Sequence, residues 1–244
     1  MRANPYETAQ YLREYLLFHY GRPGELCPFP FVPRELLRFH GRILEECMLP
    51  IAAVEPTRGL DLGCGVGRFT FELGRVVDQV LGIDNSKLFI RAARRMARGE
   101  PLRLLVKESG THATAYRLTL APALRQSNVE FRVGDALELS ATADRSYHVI
   151  SAINLLDRLP QPRRLLEALP RLLAPGGQLI LASPFTWMTA YTPSRKWLTF
   201  EEVRNALRPS LRLARRRDLP FLIREHRRKY QLVISNVATF VRAK

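Results

Sequence analysis

Hydrophobic residues recur at helical spacing at the start of the chain. In the stretch YLREYLLFHYG, Tyr11, Tyr15 and His19 follow one another at intervals of four residues, so a helix would place all three on one face. The pattern predicts a helix over residues 5–20, with Gly21 as its stop. A face of this kind either seals a core or holds aromatic groups over a small ligand.

From Arg58 onward, short apolar runs alternate with amphipathic segments. The runs LDLG, VVDQVLGID, VEFRVGDA, YHVISAIN and QLILASP are typical of strands, whereas FTFELGRV, KLFIRAARRMA and PRRLLEALPRLL have helical spacing. Strands that alternate with helices form βαβ units. The pattern predicts a Rossmann-like, doubly wound α/β fold with a mostly parallel sheet.

Three segments depart from this alternation. Residues 101–122 alternate on both sides of a Ser-Gly-Thr turn and predict an inserted antiparallel hairpin, which serves as a flap, a dimer arm or a cover for a sheet edge. The tail YQLVISNVATFVRAK predicts an antiparallel terminal strand that pairs with RLARRRDLPF before it. A helix from about Pro33 completes an N-terminal helical region, residues 1–54, and we expect one domain over residues 1–244.

Composition narrows the possible partners. The net charge of +15 raises nucleic acid as a partner, but most arginines lie in amphipathic helices, which favours a solvated surface over a nucleic-acid interface. Cys27, Cys47 and Cys64 lie far apart and the histidines are scattered, so we expect no disulfides and no metal site. Without a long apolar run, and with MRANPYETAQ at its start, the protein is expected to be cytoplasmic, with no membrane partner.

The segment LDLGCGVGRF carries the chemistry. Asp61 ends a short strand, and Gly63, Gly65 and Gly67 follow at every second position before a helix. Glycines let the backbone turn sharply and let a ligand approach main-chain N–H groups. Because Arg68 stands where a dinucleotide fingerprint needs its last glycine, pyrophosphate is disfavoured. The motif resembles that of class I S-adenosylmethionine-dependent methyltransferases.

Further polar residues end the strands that follow. Asp84 with Asn85 ends the second strand, where a carboxylate accepts both ribose hydroxyls, and Asp135 with Ala136 ends the third, where methyltransferases commonly bind adenine. Asn154 ends the fourth, beside the expected methionine portion and methyl group. By this resemblance all of these residues, with Asp61, the three glycines and Arg68, are predicted to contact S-adenosylmethionine.

A narrower resemblance rests on motifs outside the glycine turn. YETAQYLREYLLFHYG, INLLDRLPQP, SPFTWMTAYTPSRKWL and DLPFLIREHRRKYQ are similar to segments of the 5-thiohistidine imidazole N-methyltransferases of ovothiol biosynthesis. The resemblance implies methyl transfer from S-adenosylmethionine to a ring nitrogen of 5-thiohistidine, a small-molecule substrate. Asp157 is then a candidate catalytic group, with Asn154, that orients the ring or accepts its proton; alternatively, it caps a helix or pairs with Arg158.

The same resemblance suggests where the acceptor binds. Tyr15, His19 and Tyr20 of the first helix are expected to form a lid over the crevice, as an N-terminal helix does in many class I methyltransferases. The aromatic loop after the fifth strand, with Thr186, Trp187, Tyr191 and Trp197, is expected to line the acceptor pocket or to pack itself down.

A cation for the substrate carboxylate is sought in the basic segment REHRRK, where Arg224 and Arg228 are candidates. Three other functions stay open: the same reaction on the selenium analogue, an RNA methyltransferase, and a regulatory module that only binds the methyl donor.

Overall fold

The computed structural model describes residues 6–51, 56–138 and 147–243. Within these ranges the strands form one seven-stranded sheet and one two-stranded sheet. The strands are β1 (Arg58–Leu62), β2 (Gln79–Asp84), β3 (Leu102–Ser109), β4 (His112–Leu118), β5 (Val129–Val133), β6 (Tyr147–Ile153), β7 (Leu173–Ser183), β8 (Leu211–His226) and β9 (Lys229–Arg242). The α-helices are α1 (Ala9–Tyr20), α2 (Pro23–Leu26), α3 (Phe39–Arg42), α4 (Arg68–Leu73), α5 (Lys87–Ala97), α6 (Pro162–Leu172) and α7 (Phe200–Leu207).

The large sheet has the order β5-β2-β1-β6-β7-β9-β8. Its first five strands are parallel, whereas β9 runs antiparallel to β7 and β8 antiparallel to β9. This is the predicted Rossmann-like α/β fold, so the fold class is confirmed. The carboxyl ends of β1, β2, β5, β6 and β7 meet at one edge of the sheet, where ligands bind in open α/β folds.

The amphipathic helices cover the sheet as their sequences predict. In α5, Phe89, Ile90 and Met96 are buried while the arginines point outward. Ser86 caps this helix, because its side-chain oxygen accepts a hydrogen bond from the Phe89 N–H at 3.1 Å. The basic residues of RAARRMAR therefore lie largely on a solvated face.

The first helix begins later than the pattern predicted. Thr8 caps it by accepting a hydrogen bond from the Tyr11 N–H at 3.2 Å, so the first helical residue is Ala9. The predicted start at Pro5 lies outside the described residues. The helix ends at Tyr20, and the Gly21 N–H donates to the Leu17 carbonyl at 2.8 Å.

The helix expected from Pro33 is wrong as one regular element. The chain forms a 3₁₀ turn at Arg34–Leu37, then α3, then a π-helical turn at Ile43–Cys47. Phe39, Ile43 and Cys47 are buried in one cluster. Their spacing of four residues places them on one helical face, as predicted, although the segment is not one continuous α-helix.

The predicted hairpins occupy the expected segments. Strands β3 and β4 pair antiparallel within residues 101–122, and Leu102, Leu104 and Val106 turn toward a core cluster. This hairpin is attached to β8 by a buried ion pair, in which Arg224 donates to Glu108 at 2.8 Å.

Candidate active site

The turn between β1 and α4 carries the glycine motif. Gly63 and Gly65 have φ angles of +66° and +57°, a left-handed conformation that favours glycine. The Gly63 N–H donates to the Ile83 carbonyl at 2.8 Å, which ties the turn to β2. A Cβ on Gly65 would lie 3.5 Å from His19 Cε1 and 3.6 Å from Tyr15 Cδ1. His19 and Tyr15 of α1 therefore lie directly against this turn.

Two carboxylates stand at the ends of the neighbouring strands. Asp84 accepts the Gly65 N–H at 2.9 Å and the Ser86 N–H at 2.8 Å, one on each oxygen. Burial raises the pKa of Asp84 and the two N–H groups oppose this. Since a carboxylate oxygen has more than one acceptor site, both oxygens can still accept a ligand hydroxyl. Asp135 accepts the Leu137 N–H at 2.8 Å.

Asp61 supports the turn from below. It is 1% exposed and accepts hydrogen bonds from the hydroxyls of Thr70 and Ser151, each at 2.7 Å. Burial raises the pKa of Asp61 to about 6, although both hydroxyls oppose the shift. These bonds connect β1 to α4 and β6, and so fix the base of the glycine turn.

A cavity of about 590 Å³ opens beside this turn at the carboxyl ends of the parallel strands. Pockets for small molecules typically have volumes of roughly 300–1,000 Å³. The sequence-predicted residues that line it are Tyr15, His19, Asp61, Gly63, Gly65, Asp84, Asn85, Asp135, Ala136, Asn154, Thr186, Trp187 and Tyr191. The predicted cofactor and acceptor regions therefore adjoin one another in a single cavity.

Gly67 and Arg68, both predicted to contact the cofactor, are not among the described residues that line the cavity. Gly67 has a φ of +95°, and a Cβ there would lie 2.7 Å from the Phe131 ring, so glycine is needed for close packing. The Arg68 N–H donates to His19 Nδ1 at 3.2 Å, and its guanidinium donates to the His19 carbonyl at 2.8 Å and to Glu72 at 2.7 Å. Arg68 thus fastens α1 to α4.

Two histidines lie side by side below α1. The ring centroids of His19 and His40 are 4.3 Å apart and both side chains are buried. Burial lowers the pKa of His19 to about 3, with a further contribution from the Arg68 charge, and burial also lowers the pKa of His40. Both imidazoles are therefore neutral near pH 7. Because His19 Nδ1 accepts a hydrogen bond, we assign its proton to Nε2.

Four tyrosines line the cavity as one cluster, which reaches the glycine turn through Tyr15. Tyr6 lies with its ring centroid 5.3 Å from that of Tyr11, 5.9 Å from Tyr15 and 6.1 Å from Tyr191. Burial raises the pKa values of Tyr6, Tyr11 and Tyr15. These phenols are neutral at physiological pH, so each can donate a hydrogen bond.

Arg158 stands among these phenols, and Asp157 holds it there. The guanidinium donates to Asp157 Oδ2 at 2.7 Å and to the Thr186 carbonyl at 2.9 Å, and its Cζ lies 5.3 Å from the centre of the Tyr191 ring. Burial lowers the pKa of Arg158, but Asp157 and the nearby phenols more than compensate, so the group is a permanent cation. Asp157 is fully buried and is not among the described cavity-lining residues.

Asn154 has an unusual backbone conformation at the end of β6. Its φ of +53° lies in the left-handed region, and its Oδ1 accepts a hydrogen bond from the Ser235 hydroxyl at 2.7 Å. Because the oxygen is held in this way, the amide nitrogen is the polar end left to donate into the cavity that Asn154 lines. Ser235 belongs to β9, so the C-terminal hairpin orients this side chain.

Three candidate acceptor residues are placed elsewhere. The Tyr20 hydroxyl donates to the Val66 carbonyl at 2.6 Å beneath the glycine turn. Arg224 is buried against Glu108 in the hairpin contact, and the Trp197 indole donates to the Thr192 carbonyl at 2.9 Å. None of these three belongs to the described lining of the cavity.

Several lining residues were not identified from the sequence. His40 comes from α3, Tyr6 from the segment before α1, and Phe221 and Gln231 from the C-terminal strands. Only Tyr6 had a local signal, because it precedes the aromatic face of α1. Within the described ranges, no group of three or more His, Cys, Asp or Glu side chains could hold a metal ion, and no helix is long and apolar enough to cross a bilayer.

Comparison with known families agrees with this geometry. The profile of a family described as a methyltransferase domain matches residues 60–181, half of the 244-residue chain. The chain belongs to this family. It is a class I S-adenosylmethionine-dependent methyltransferase, and S-adenosylmethionine is its cofactor.

Curated relatives cover only part of the chain. The ubiquinone biosynthesis O-methyltransferase of Xanthomonas axonopodis pv. citri (strain 306) is 28% identical over 134 residues, which are 54% of this chain and 46% of that protein. That of Leptothrix cholodnii (strain ATCC 51168 / LMG 8142 / SP-6) is 26% identical over 133 residues, again 54% and 46%. The matched region of this methyltransferase thus spans about half the length of these relatives.

Solved structures share the fold. The PH0226 protein of Pyrococcus horikoshii OT3 superposes with a TM-score of 0.57 at 18% identity and covers 99% of this chain and 97% of that one. The N-methyltransferase NodS of Bradyrhizobium japonicum WM9 has a TM-score of 0.51 at 20% identity, over 77% and 86%. At sequence identities this low, the similarity shows only a shared fold.

The cavity fits the cofactor of this methyltransferase class. A left-handed glycine turn opens toward the cavity, the Asp84 oxygens retain acceptor sites for ribose hydroxyls, and Asp135 and Ala136 lie beyond them at the end of β5. Neutral His19 and His40 add no positive charge where a sulfonium would be placed. The residues at the strand ends therefore fit S-adenosylmethionine, and the tyrosines line the same cavity next to them.

Proposed function

We propose that this methyltransferase transfers a methyl group to an imidazole ring nitrogen of 5-thiohistidine, giving ovothiol. The observation that carries the proposal is the small aromatic chamber beside the cofactor turn. Its walls come from the segments that resemble the 5-thiohistidine N-methyltransferases: YETAQYLREYLLFHYG on α1, INLLDRLPQP after β6 and SPFTWMTAYTPSRKWL after β7. The whole cavity, at about 590 Å³, has the size of a small-molecule pocket, which supports a small heterocyclic acceptor.

The chain's part in such a reaction is alignment and exclusion of water. S-Adenosylmethionine, when bound, supplies an electrophilic methyl group, and a neutral imidazole nitrogen already has the lone pair that accepts it. Tyr15 and Trp187 line the chamber and offer aromatic faces to a flat ring. The Asn154 amide, fixed by Ser235, offers an N–H donor that can orient the acceptor.

Asp157 contributes to this reaction by orienting the side chain of Arg158. Since its carboxylate lies behind the cavity wall and pairs with Arg158 at 2.7 Å, it orients the guanidinium and does not contact the ring. The expected signature is a loss of kcat/KM in Asp157→Asn without a new pKa in the pH–rate profile. A carboxylate that accepted the acceptor's proton would, when replaced, remove one limb of that profile.

A second candidate is O-methyl transfer to a phenol. The names of the curated relatives support it, and the phenol-rich chamber would also admit an aromatic hydroxyl. This reaction needs the hydroxyl to lose its proton, whereas a neutral imidazole nitrogen accepts the methyl group without prior proton loss.

The test is a methyl-transfer assay with competing acceptors. Purified protein is incubated with S-adenosylmethionine and, separately, histidine, 5-thiohistidine, its selenium analogue, a catechol and tRNA; mass spectrometry detects methylated product and S-adenosylhomocysteine. We expect turnover of 5-thiohistidine, and NMR should place the methyl group on a ring nitrogen. Asp218→Asn, on β8 outside the described cavity lining, is a control for charge removal.

Each alternative has its own result. Methylation of the catechol alone would show that the acceptor atom is a phenolic oxygen and not an imidazole nitrogen. Methylation of tRNA alone, with affinity that falls steeply with salt, would establish a nucleic-acid substrate. Binding of S-adenosylhomocysteine without turnover of any acceptor would support a ligand-sensing role.

A further inference from the structure

Arg158 is the one lysine or arginine among the described residues that line the cavity. Its side chain is 22% exposed, and the residue forms part of the cavity wall. A guanidinium presents several N–H donors in one plane, an arrangement that matches the two oxygens of a carboxylate. A cation at this position is otherwise unfavourable, because a cationic sulfonium must bind in the same cavity.

The guanidinium is rigidly placed. It donates to the Asp157 carboxylate at 2.7 Å, to the Asp157 carbonyl at 3.0 Å, and to the carbonyl and hydroxyl of Thr186 at 2.9 and 3.2 Å. These acceptors come from the loops after β6 and β7, which the sheet holds side by side. A pre-placed guanidinium loses little side-chain entropy when it binds an anion.

The surroundings of Arg158 add neutral donors. Tyr191 lies under the guanidinium at 5.3 Å, and Tyr6 stacks on Tyr191 with a centroid separation of 6.1 Å. Phenols donate hydrogen bonds to anions without competing for the positive charge. This side of the chamber is therefore suited to a single negative group.

An acidic residue lines the same chamber from α1. Glu14 belongs to the cavity wall, one helical turn after Tyr11 and next to Tyr15. The pKa of the Tyr11 hydroxyl is raised by burial, by Tyr191 and by the Glu14 carboxylate, while Arg158 lowers it, so Tyr11 lies within range of both charges. A cation and an anion thus flank the same phenols.

From this arrangement we infer that Arg158 binds the α-carboxylate of the acceptor and Glu14 binds its α-ammonium group. The chamber would then select a free amino acid and discriminate against imidazoles that lack the zwitterion. The inference rests on the proposed function, since it concerns the acceptor of that reaction. Asp157 and Thr186 act in it as positioning groups for Arg158.

The test removes the charged groups from the acceptor and from the protein in turn. Kinetic constants are measured for 5-thiohistidine, for its decarboxylated amine and for its deaminated acid, with the wild type, Arg158→Lys and Glu14→Gln. A charged hydrogen bond contributes about 1.5–3 kcal/mol, so the wild type should prefer 5-thiohistidine over the decarboxylated amine by roughly 10–150-fold in kcat/KM. Arg158→Lys should bring that ratio toward one, and Glu14→Gln should do the same for the deaminated acid.

Lysine at position 158 keeps a positive partner for buried Asp157, which protects the fold. Arg163→Lys is the matched control, because Arg163 is exposed, pairs with Glu202 at 3.5 Å and is not in the described cavity wall; its ratios should equal those of the wild type. Calorimetry with S-adenosylhomocysteine checks that Arg158→Lys leaves cofactor affinity within about twofold.

Equal efficiency of the wild type with all three acceptors would overturn the inference and leave the proposed function standing. Weaker binding of S-adenosylhomocysteine to Arg158→Lys, with an unchanged acceptor ratio, would also overturn it, because Arg158 would then bind the methionine carboxylate of the cofactor. If the wild type binds S-adenosylhomocysteine but methylates none of the three, the proposed function fails and this inference with it.

Discussion

Replacement of Gly67 by alanine tests why the third glycine of the motif is required. Its φ of +95° strains any other residue, and the added Cβ would lie 2.7 Å from the Phe131 ring, far inside a normal contact distance of about 3.5–4.0 Å. Phe131 is 3% exposed and packs at 5.2 Å from the Phe71 ring, so it has no open space to move into. We therefore expect Gly67→Ala to lower the free energy of unfolding without removing a direct contact to a ligand.

The magnitude follows from three terms. A left-handed backbone costs an L-residue about 1–2 kcal/mol, overpacking in a core costs about 1–3 kcal/mol, and the stiffer unfolded chain returns about 0.4–1 kcal/mol. Gly67→Ala should therefore lower the free energy of unfolding by about 1–5 kcal/mol. Gly99 is a matched control: its φ is +74° and a Cβ there has no heavy atom within 4 Å.

Urea unfolding at pH 7, followed by circular dichroism, measures both variants. Gly99→Ala has the same backbone strain and the same change in unfolded-chain entropy as Gly67→Ala. The difference between the unfolding free energies of the two variants therefore measures the Phe131 contact, which we expect to cost about 1–3 kcal/mol. In a protein of this size each kcal/mol corresponds to roughly 2–4 °C in Tm. Equal stabilities of Gly67→Ala and Gly99→Ala would refute the packing explanation and restore a cofactor role for Gly67.

Three further outcomes are expected. Asp84→Asn should weaken S-adenosylhomocysteine binding by roughly 10–150-fold in calorimetry, because a charged acceptor for hydroxyls and for the glycine turn is lost; wild-type affinity would argue against a ribose contact. The pKa of His19 is about 3 in the folded protein and about 6.5 in the unfolded chain. As the pH falls below 6.5, the wild type should therefore lose about 1.4 kcal/mol of stability per pH unit relative to His19→Asn. The raised pKa of Asp61 has the opposite effect on stability, but it is present in both proteins and cancels in the comparison. Ser235→Ala should cost about 0.5–1.5 kcal/mol in urea unfolding and lower kcat/KM, whereas unchanged kinetics would show that Asn154 needs no support from β9.

The cofactor side was predictable because its signals are local in sequence. Asp61, Gly63 and Gly65 lie in one turn, and a strand-end carboxylate such as Asp84 or Asp135 can be located from the strand pattern alone. Parallel strands then bring these residues to one edge, whatever the details of packing. Gly67 and Arg68 lie outside the described cavity lining, and motif spacing alone does not distinguish a glycine that faces a ligand from one that faces a core ring.

The first and last residues of a helix could be predicted only where a capping residue or a regular hydrophobic spacing was recognised in the sequence. The stretch TFEE contains a capping box, in which Thr199 and Glu202 bond each other's backbone, and it begins a helix that the alternating pattern did not identify. Residues 33–47 had apolar residues at helical intervals, but periodicity alone does not distinguish an α-helix from the 3₁₀ and π turns that the segment contains.

The acceptor side was harder because its parts are distant in sequence and meet only in the folded chain. A cation was sought in REHRRK, but Arg224 is held by Glu108 across 116 residues of separation, a pairing that no local pattern records. Arg158, which was read only as a partner for Asp157, instead reaches the chamber. The chamber draws on α1 and on β8 and β9, which lie outside residues 60–181, the region that the family profile matches. Family membership therefore identifies the methyl donor, whereas the proposed acceptor site also uses chain segments outside the region that the profile matches, so variation of the acceptor's own charged groups is needed to test it.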